Sequence, residues 1–144
     1  MKRDARQVVR RYYEEIGNQR KESVADEIIA PNFKLFPYSQ PPYGPEGVKR
    51  FMKWLCVESF PDLTVTIDKL IAEGDTVAAS VTLHAAHTAN FSWFPQLGSF
   101  KPTGMRFHLK EFVFWSVADG KITERELLID RWGVAEQLEL FGRT

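Results

Sequence analysis

The sequence predicts an α+β fold in which N-terminal helices pack on a curved antiparallel sheet. Apolar residues recur at helical spacing before residue 61, and they alternate with polar residues along most of the chain after it. Long strands that twist and carry helices on one face tend to curl into a cone. We therefore expect one domain over residues 1–144, built as a cone-shaped sheet closed by helices.

The helices are expected in the first part of the chain. Residues 4–18 carry apolar side chains at helical spacing, and Asp4 is suited to the N-cap position. A short second helix is expected over residues 23–29. A third helix starts at Pro45, because proline is tolerated in the first turn, and it ends before Pro61.

Strands follow in a meander. They are expected over residues 63–73, 76–90, 105–117 and 121–131, with a final helix over residues 134–140. The third of these strands is apolar on both faces, because Val113 and Trp115 alternate with Phe112 and Phe114. A sheet covered by helices on one face and by a second subunit on the other needs such a strand. We therefore expect a homodimer that forms through the sheet face.

Composition excludes several classes of protein. The chain has 19 Lys and Arg against 19 Asp and Glu, so its charge gives no basis for binding nucleic acid or an anionic membrane. Its single cysteine, Cys56, excludes an internal disulfide framework and fits a reducing cytoplasm. No apolar run approaches the length of a membrane span, and no apolar signal region is present at the N-terminus. We expect a cytoplasmic location.

An ordered set of short motifs runs along nearly the whole chain. They are Gly44-Pro45-Glu46-Gly47-Val48, Phe60-Pro61-Asp62-Leu63, Ala72-Glu73-Gly74-Asp75, Thr82-Leu83, His87, Pro102-Thr103-Gly104, Asp119-Gly120-Lys121-Ile122, Asp130 and Gln137-Leu138. Their order and spacing resemble the SnoaL-like polyketide cyclases of the nuclear-transport-factor-2-like superfamily. The resemblance implies a cone-shaped α+β domain that closes a ring in a polyketide-like substrate by aldol condensation. It implies an aspartate as acid/base and no cofactor or metal.

The sequence departs from this family pattern in three places. Ala85-Ala86-His87 stands where Gly-Thr-His is common, and Glu126 stands where an aromatic residue is common. The segment over residues 92–101 is also longer than usual. Because the last two departures lie where a substrate would touch, the identity of the substrate does not carry over from the family.

The resemblance assigns the acid/base role to Asp130. This residue follows an apolar run over residues 127–129, and a carboxyl group desolvated in such a place has a raised pKa. General acid/base catalysis near neutral pH requires such a pKa. The alternative is a structural role, in which Asp130 pairs with Arg131 or Arg125 or caps the last helix.

The hairpin turn decides which residue faces Asp130. A two-residue turn at Asp119-Gly120 puts Leu109 opposite Asp130. A type I turn with Gly120 as a left-handed bulge moves the register by one and puts His108 there. The second register forms a His108–Asp130 pair that can share a proton.

We prefer the second register because it gives that polar pair an apolar pocket. It places Phe112 and Phe114 on the same face as the carboxylate, provided that no bulge interrupts the ladder beyond the turn. Glu124 and Glu126 share this face by alternation. Since three buried carboxylates would repel one another, at least one must be protonated, paired with a base or placed at the rim.

His87 occupies the position of the family's histidine and is a further catalytic candidate. Its side chain points with Val81 and Leu83, where a histidine is more often a hydrogen-bonded core residue. A metal site built from His84, His87 and His108 lacks a ligand spacing that supports it, so no metal is expected. The candidates for binding substrate are Tyr12, Phe36, Phe51, Leu55, Trp93, Phe112, Phe114 and Glu126.

Two functions fit these observations, and a third does not. The leading one is a cofactor-independent acid/base enzyme that acts on an apolar carbonyl compound. The alternative from another class is a non-catalytic module that holds a hydrophobic ligand or a partner protein in the same cone. Epoxide opening, known in the same superfamily, uses an Asp-Arg-Asp arrangement whose second aspartate has no matching strand position here.

Overall fold

The computed structural model describes residues 4–36, 41 and 43–142. The helices are α1 (Ala5–Arg11), α2 (Val24–Ile28), α3 (Gly44–Lys53) and α4 (Arg131–Gln137); α1 continues in π-helical form over Tyr12–Asn18 and α3 over Trp54–Ser59. The strands are β1 (Ile29–Phe36), β2 (Thr64–Glu73), β3 (Thr76–Ala86), β4 (Arg106–Ala118) and β5 (Lys121–Ile129). Among these residues, no helix has both the length and the apolar character needed to cross a membrane.

The five strands form one sheet in the order β1-β5-β4-β3-β2, which confirms the predicted α+β class. Strands β2 to β5 form the expected antiparallel meander. A further strand, β1, follows the second helix directly and pairs with β5 in parallel. In this position β1 provides hydrogen-bond partners for an edge of β5 that would otherwise stay open.

The β4–β5 turn takes the two-residue form. Asp119 and Gly120 both have positive φ, 52° and 75°, as a type I′ turn requires. Ala118 therefore pairs with Lys121. The preferred type I turn with a bulge at Gly120 is wrong, because its backbone does not match the twist of the flanking strands as well as the primed turn does.

A bulge beyond the turn changes the register again. Thr123 is an extra residue on β5, so Ser116 pairs with Glu124 and the ladder continues from there without interruption. As a result, the backbone N–H of Asp130 donates to the carbonyl of Lys110 at 3.0 Å. The predicted His108–Asp130 pair is therefore not formed, because the two-residue turn shifts the register by one residue and the bulge shifts it by one more.

The last strand ends earlier than predicted and the last helix begins earlier. β5 ends at Ile129, and α4 starts at Arg131. The side chain of Asp130 causes this change, since it accepts a hydrogen bond from the Gly133 N–H at 2.9 Å and caps the helix. At the other end of the chain, the predicted N-cap is confirmed, because Asp4 accepts from the Arg6 N–H at 3.0 Å.

The helices cover one face of the sheet, which we call the inner face. On β4 this face carries side chains that are all buried: Phe107, Leu109, Glu111, Val113, Trp115 and Val117. The indole N–H of Trp115 donates to the hydroxyl of Tyr13 at 3.0 Å and ties the first helical segment to the sheet. The opposite, outer face is left uncovered by the described residues of the chain.

Candidate active site

Asp130 lies in a different environment from the one predicted. The residue is exposed, and its carboxylate serves as the N-cap of α4. The expected desolvation of Asp130 is therefore wrong, and the structural alternative, helix capping, is the one observed. The acid/base role of Asp130 depended on its burial, because burial is what raises the pKa of a carboxyl group. Since Asp130 is exposed, that role has no physical basis here.

The other residues expected around Asp130 lie on the outer face as well. His108 is exposed, and its backbone is held by the side chain of Gln137 through two hydrogen bonds of 2.8 and 2.9 Å. Phe112 and Phe114 are 60% and 58% exposed, and Glu126 lies opposite Phe114 on β5. The predicted grouping of side chains on one face is correct, but the helices cover the other face. These residues are therefore not the walls of an internal pocket.

A buried ion pair lies on the inner face instead. Nη2 of Arg125 donates to Oε1 of Glu111 at 3.0 Å, and the two side chains are only 6% and 8% exposed. Arg125 stands opposite Trp115 in the β4–β5 ladder. Its guanidinium carbon lies 5.0 Å from the centre of the Trp115 ring and 5.5 Å from that of Tyr12.

Burial and the charge of the partner act in opposite directions on the pKa of each group of this pair. Burial raises the pKa of the Glu111 carboxyl, and the Arg125 charge offsets part of that effect. Burial acts to lower the pKa of Arg125, but the nearby Tyr12 and Glu111 outweigh it, so the guanidinium stays charged. Its Nε is buried and has no hydrogen-bond partner among the described residues. An unpartnered buried donor is costly and marks a place where an acceptor can bind.

Two tyrosines from the first helical segment complete the surroundings. Tyr12 packs against Trp115 with ring centres 4.7 Å apart, and Tyr13 meets the same ring edge-on at 5.4 Å. Burial raises the pKa of both phenols, so they remain protonated at neutral pH. The sequence analysis proposed Tyr12 as a substrate-binding residue, and the structure places it beside the Glu111–Arg125 pair.

The inner face is less completely covered near β1 and β5. Leu127 and Ile129 lie on β5 opposite Val113 and Glu111, and both are only partly buried. Leu35 of β1, next to Arg125 in the parallel ladder, is also partly buried. Partly exposed apolar side chains are therefore the ladder neighbours of Glu111 and Arg125.

His87 and Trp93 lie in a separate aromatic cluster. His87 is fully buried, and its Nδ1 accepts the Thr103 N–H at 3.3 Å. Burial lowers the pKa of its imidazole, so the ring is neutral at neutral pH. Trp93 packs against Phe60 and Phe107, with ring centres 5.5 and 4.9 Å away. This arrangement matches the alternative in which His87 is a hydrogen-bonded core residue.

The remaining candidates lie on the helical layer and on β1. Phe51 is partly buried and packs on Trp54, with ring centres 5.9 Å apart, while Leu55 packs against the core. Phe36 is the last residue of β1 and stands opposite Glu126 in the parallel ladder. The side chain of Phe36 lies outside the described part of the structure.

The sequence analysis missed the Glu111–Arg125 pair, although a signal was present. Every second residue of β4 from Phe107 to Val117 is apolar except Glu111. A single carboxylate that interrupts an otherwise apolar alternation predicts a buried acid with a basic partner. The bulged-turn register preferred from the sequence already puts Arg125 on the face of Glu111, whereas a two-residue turn does so only with the observed bulge at Thr123.

Comparison with known proteins gives a consistent assignment. The sequence model described as SnoaL-like polyketide cyclase matches residues 7–138 of the chain. Among curated proteins, none matches the chain. A protein of known structure from Jannaschia sp. CCS1, named as a proposed SnoaL-like polyketide cyclase, is 25% identical over 93% of this chain and 90% of its own, with a TM-score of 0.76.

Two further structures share the fold. TsrD from Streptomyces laurentii has a TM-score of 0.75 at 22% identity, over 96% of this chain and 97% of TsrD. A proposed polyketide cyclase from Acidithiobacillus ferrooxidans has a TM-score of 0.78 at 23% identity, over 94% of each chain. At these identities the two structures support the fold of the chain and carry no information on its substrate.

Proposed function

Since the chain belongs to the SnoaL-like polyketide cyclase family, we propose that it is a cofactor-independent enzyme that closes a ring by an aldol-type reaction. The observation that carries the proposal is the buried carboxyl of Glu111, which lies against Arg125 on the inner face of the sheet. We assign the acid/base role to Glu111 in place of Asp130.

The proposed reaction needs a base, an anion-stabilising group and an acid. The Glu111 carboxylate removes a proton from a carbon between two carbonyl groups, and its raised pKa makes it a stronger base. The Arg125 guanidinium stabilises the enolate oxygen, with the unpartnered Nε as a donor. The enolate carbon attacks a second carbonyl of the same chain. The alkoxide formed then takes the proton back from Glu111, which restores the enzyme.

An apolar substrate fits the surroundings of this carboxyl. Leu35, Leu127 and Ile129 offer partly exposed apolar surface beside Glu111, and burying such surface favours an apolar chain by about 25 cal/mol per Å². The ring of Tyr12 supplies an aromatic wall on the helical side. In this proposal the chain folds along β5 so that its reacting carbons meet at Glu111.

The competing possibility is a non-catalytic module that binds a hydrophobic ligand. One observation favours it: the Glu111 carboxylate already has a charged partner, as a purely structural ion pair would. The two functions differ in what removal of the carboxyl does. A binding module keeps its ligand affinity and has no turnover to lose.

The test compares three variants on a linear triketo ester, with ring formation followed by liquid chromatography. Glu111→Gln should lower the rate about 100- to 10,000-fold, which is the usual contribution of one general acid/base. Glu111→Leu with Arg125→Met replaces the pair by apolar groups and should fold while lacking turnover. Asp130→Asn keeps the helix cap and should remain active. Turnover by the double variant, or its loss in Asp130→Asn, would contradict the role proposed for Glu111.

We also propose that two copies of the chain associate through the outer face of the sheet. Phe112 and Phe114 of β4 and Leu128 of β5 form an exposed apolar patch, and patches of this kind mark interaction surfaces. Ile71 of β2 is exposed on the same face, across β3 from Phe114. The patch is flanked by Lys69 on β2 and by Glu126 on β5. A two-fold axis along the strands brings β2 of one copy over β5 of the other, so that these opposite charges meet.

A further inference from the structure

A groove separate from the proposed active site lies within the helical layer. It runs between α3, with its π-helical extension, and the segment that leads from the end of α1 into α2. Its volume is about 730 Å³, within the range of small-molecule sites. Of the described residues that line it, none lies on a strand. The groove is therefore separate from the inner face of the sheet that carries Glu111.

The floor of the groove is apolar. Ile16, Val48 and Cys56 are buried side chains that line it, and Met52 lies between them with partial exposure. Val57 at one end is 64% exposed. An apolar floor of this size favours a hydrocarbon chain, since each buried methylene contributes about 0.8 kcal/mol.

The rim is basic although the chain as a whole is neutral. Four cationic side chains and two carboxylates line the groove. The charge of Lys49 is balanced by two carboxylates, because its Nζ lies 3.0 Å from that of Asp26 and 3.2 Å from that of Glu46. Among the described residues, neither Arg50 nor Lys53 has an ion-pair partner.

Arg20 adds a third cation to the lining of the groove without an ion-pair partner among the described residues. Its guanidinium donates to the backbone carbonyls of Gly17 and Leu63, the latter at 2.7 Å, so it is held in place by neutral acceptors. The charge of Arg20 also acts on Cys56 in the groove floor. Burial raises the pKa of the Cys56 thiol, and the Arg20 charge acts to lower it. Glu22, the lining carboxylate without a cationic partner among the described residues, offsets only one of the three cations.

We propose that this groove binds an amphipathic organic anion, a hydrocarbon chain that ends in a carboxylate. The chain lies over Val48, Met52 and Cys56, and the carboxylate lies between Arg50 and Lys53. Exposed cations beside an apolar floor bind the charged end weakly in water, so affinity comes from the chain and selectivity from the charge. The proposal does not depend on the catalytic role of Glu111, because the two sites share no residue.

The test uses decanoate as the probe and methionine methyl groups as reporters. The protein is labelled with ¹³C at its methionine methyls, of which that of Met52 lies in the groove lining and that of Met105, directly before β4, lies outside it. Decanoate, kept below the concentration at which it forms micelles, should shift the Met52 signal and leave that of Met105 unchanged. A Met105 shift without a Met52 shift, or no shift at all, overturns the proposal.

Charge-reversal variants test whether the cations of the groove bind the carboxylate of decanoate. Lys53→Glu should weaken decanoate binding about tenfold at low salt, because it turns an attraction into a repulsion at short range. Lys101→Glu is the matched control, since Lys101 is also exposed and lies in the loop before β4, outside the groove. Decanol should bind more weakly than decanoate to the parent protein. Equal weakening by the two variants, or equal affinity for decanol and decanoate, contradicts the carboxylate assignment.

Discussion

Each face of the β4–β5 hairpin carries some side chains of the kind that usually lies on the opposite face. The inner face buries a carboxylate and a guanidinium, Glu111 and Arg125, within hydrogen-bond distance of each other. The outer face exposes the large apolar side chains of Phe112, Phe114 and Leu128. Both faces therefore carry residues that hydrophobicity alone would place on the other side.

The difference shows that the covering layer decides what each face can do. A charge under the helices costs several kcal/mol to desolvate, and it is tolerated because its partner and the aromatic rings surround it. Apolar rings on an uncovered face are tolerated when another surface covers them in the assembly. The inner face is thus suited to chemistry, and the outer face is suited to association.

The largest expected effect comes from breaking the buried pair. Glu111→Gln leaves the Arg125 charge uncompensated and should lower the free energy of unfolding by about 3–5 kcal/mol. Glu111→Leu with Arg125→Met should unfold near the midpoint of the parent protein, because neither charge remains buried. Urea denaturation measures both. Glu124→Gln on the outer face is the control and should change stability by less than about 0.5 kcal/mol.

The pH dependence of the stability of Arg125→Met tests whether the inner face keeps the Glu111 carboxyl away from water. Without the guanidinium, desolvation alone acts on the buried carboxyl, so the pKa of Glu111 in the folded state rises further above its unfolded value. A carboxyl with a raised pKa stabilises the fold at low pH and loses that contribution as pH rises through its folded pKa. The variant should therefore become less stable relative to the parent as pH increases. A constant difference between the two denaturation curves would show that the carboxyl is hydrated.

A substitution in the apolar patch of the outer face should weaken the proposed dimer more than it lowers the stability of the fold. Phe112→Lys should raise the dissociation constant of the proposed dimer about 100-fold, because it places a cation in the centre of the apolar patch. Light scattering over a dilution series measures this change. Val57→Lys, at an equally exposed position on the helical layer, is the matched control. A parent protein that is monomeric at all concentrations rules the interface out.

A smaller effect is expected at the end of β5. Asp130→Ala removes the helix cap on Gly133 and should cost about 1 kcal/mol of stability, whereas Asp130→Asn should cost little, since asparagine also caps. Ring formation should persist in both variants under conditions where they are folded. Thermal unfolding together with the chromatographic assay distinguishes capping from catalysis.

The smallest effect is expected from an ion pair on the outer face. The Lys110 ammonium, 2.6 Å away, and the Thr82 hydroxyl hold the pKa of Asp68 below its usual range. Such a carboxylate stabilises the fold above its unfolded pKa of about 3.9, and the contribution is lost as pH falls through the folded value. Asp68→Asn should reduce stability at neutral pH by about 0.5 kcal/mol and abolish this part of the acid dependence. Denaturation at neutral and acidic pH measures it.

Much of the fold could be predicted because it follows from local patterns. The change from helical to alternating spacing near residue 61 predicted the order of layers, and Asp4 predicted the first cap correctly. Turn residues predicted the meander. The pairing of β1 with β5 was not predicted, because a parallel edge strand brings together segments that are distant in sequence.

The candidate site was less predictable than the fold. Asp130, Phe112 and Phe114 do share one face of the sheet, as predicted. That face is exposed, so its prediction as the interior was wrong. Since β4 is apolar on both faces, its pattern does not indicate which face the helices cover. The parity of the predicted register also places Glu111 and Arg125 together on the opposite face, but the sequence analysis did not consider that face as the site.

Local chemistry was enough to establish an α+β chain of helices followed by a strand meander, and its ordered motifs were enough to point to a family. Periodicity and capping depend on neighbours a few residues apart, so they can be read from the chain directly. Burial depends on which surface meets which, and a one-residue bulge exchanges the faces of a strand. For that reason only the tertiary structure could decide that Glu111 is inside, that Asp130 is outside and that a basic groove opens among the helices.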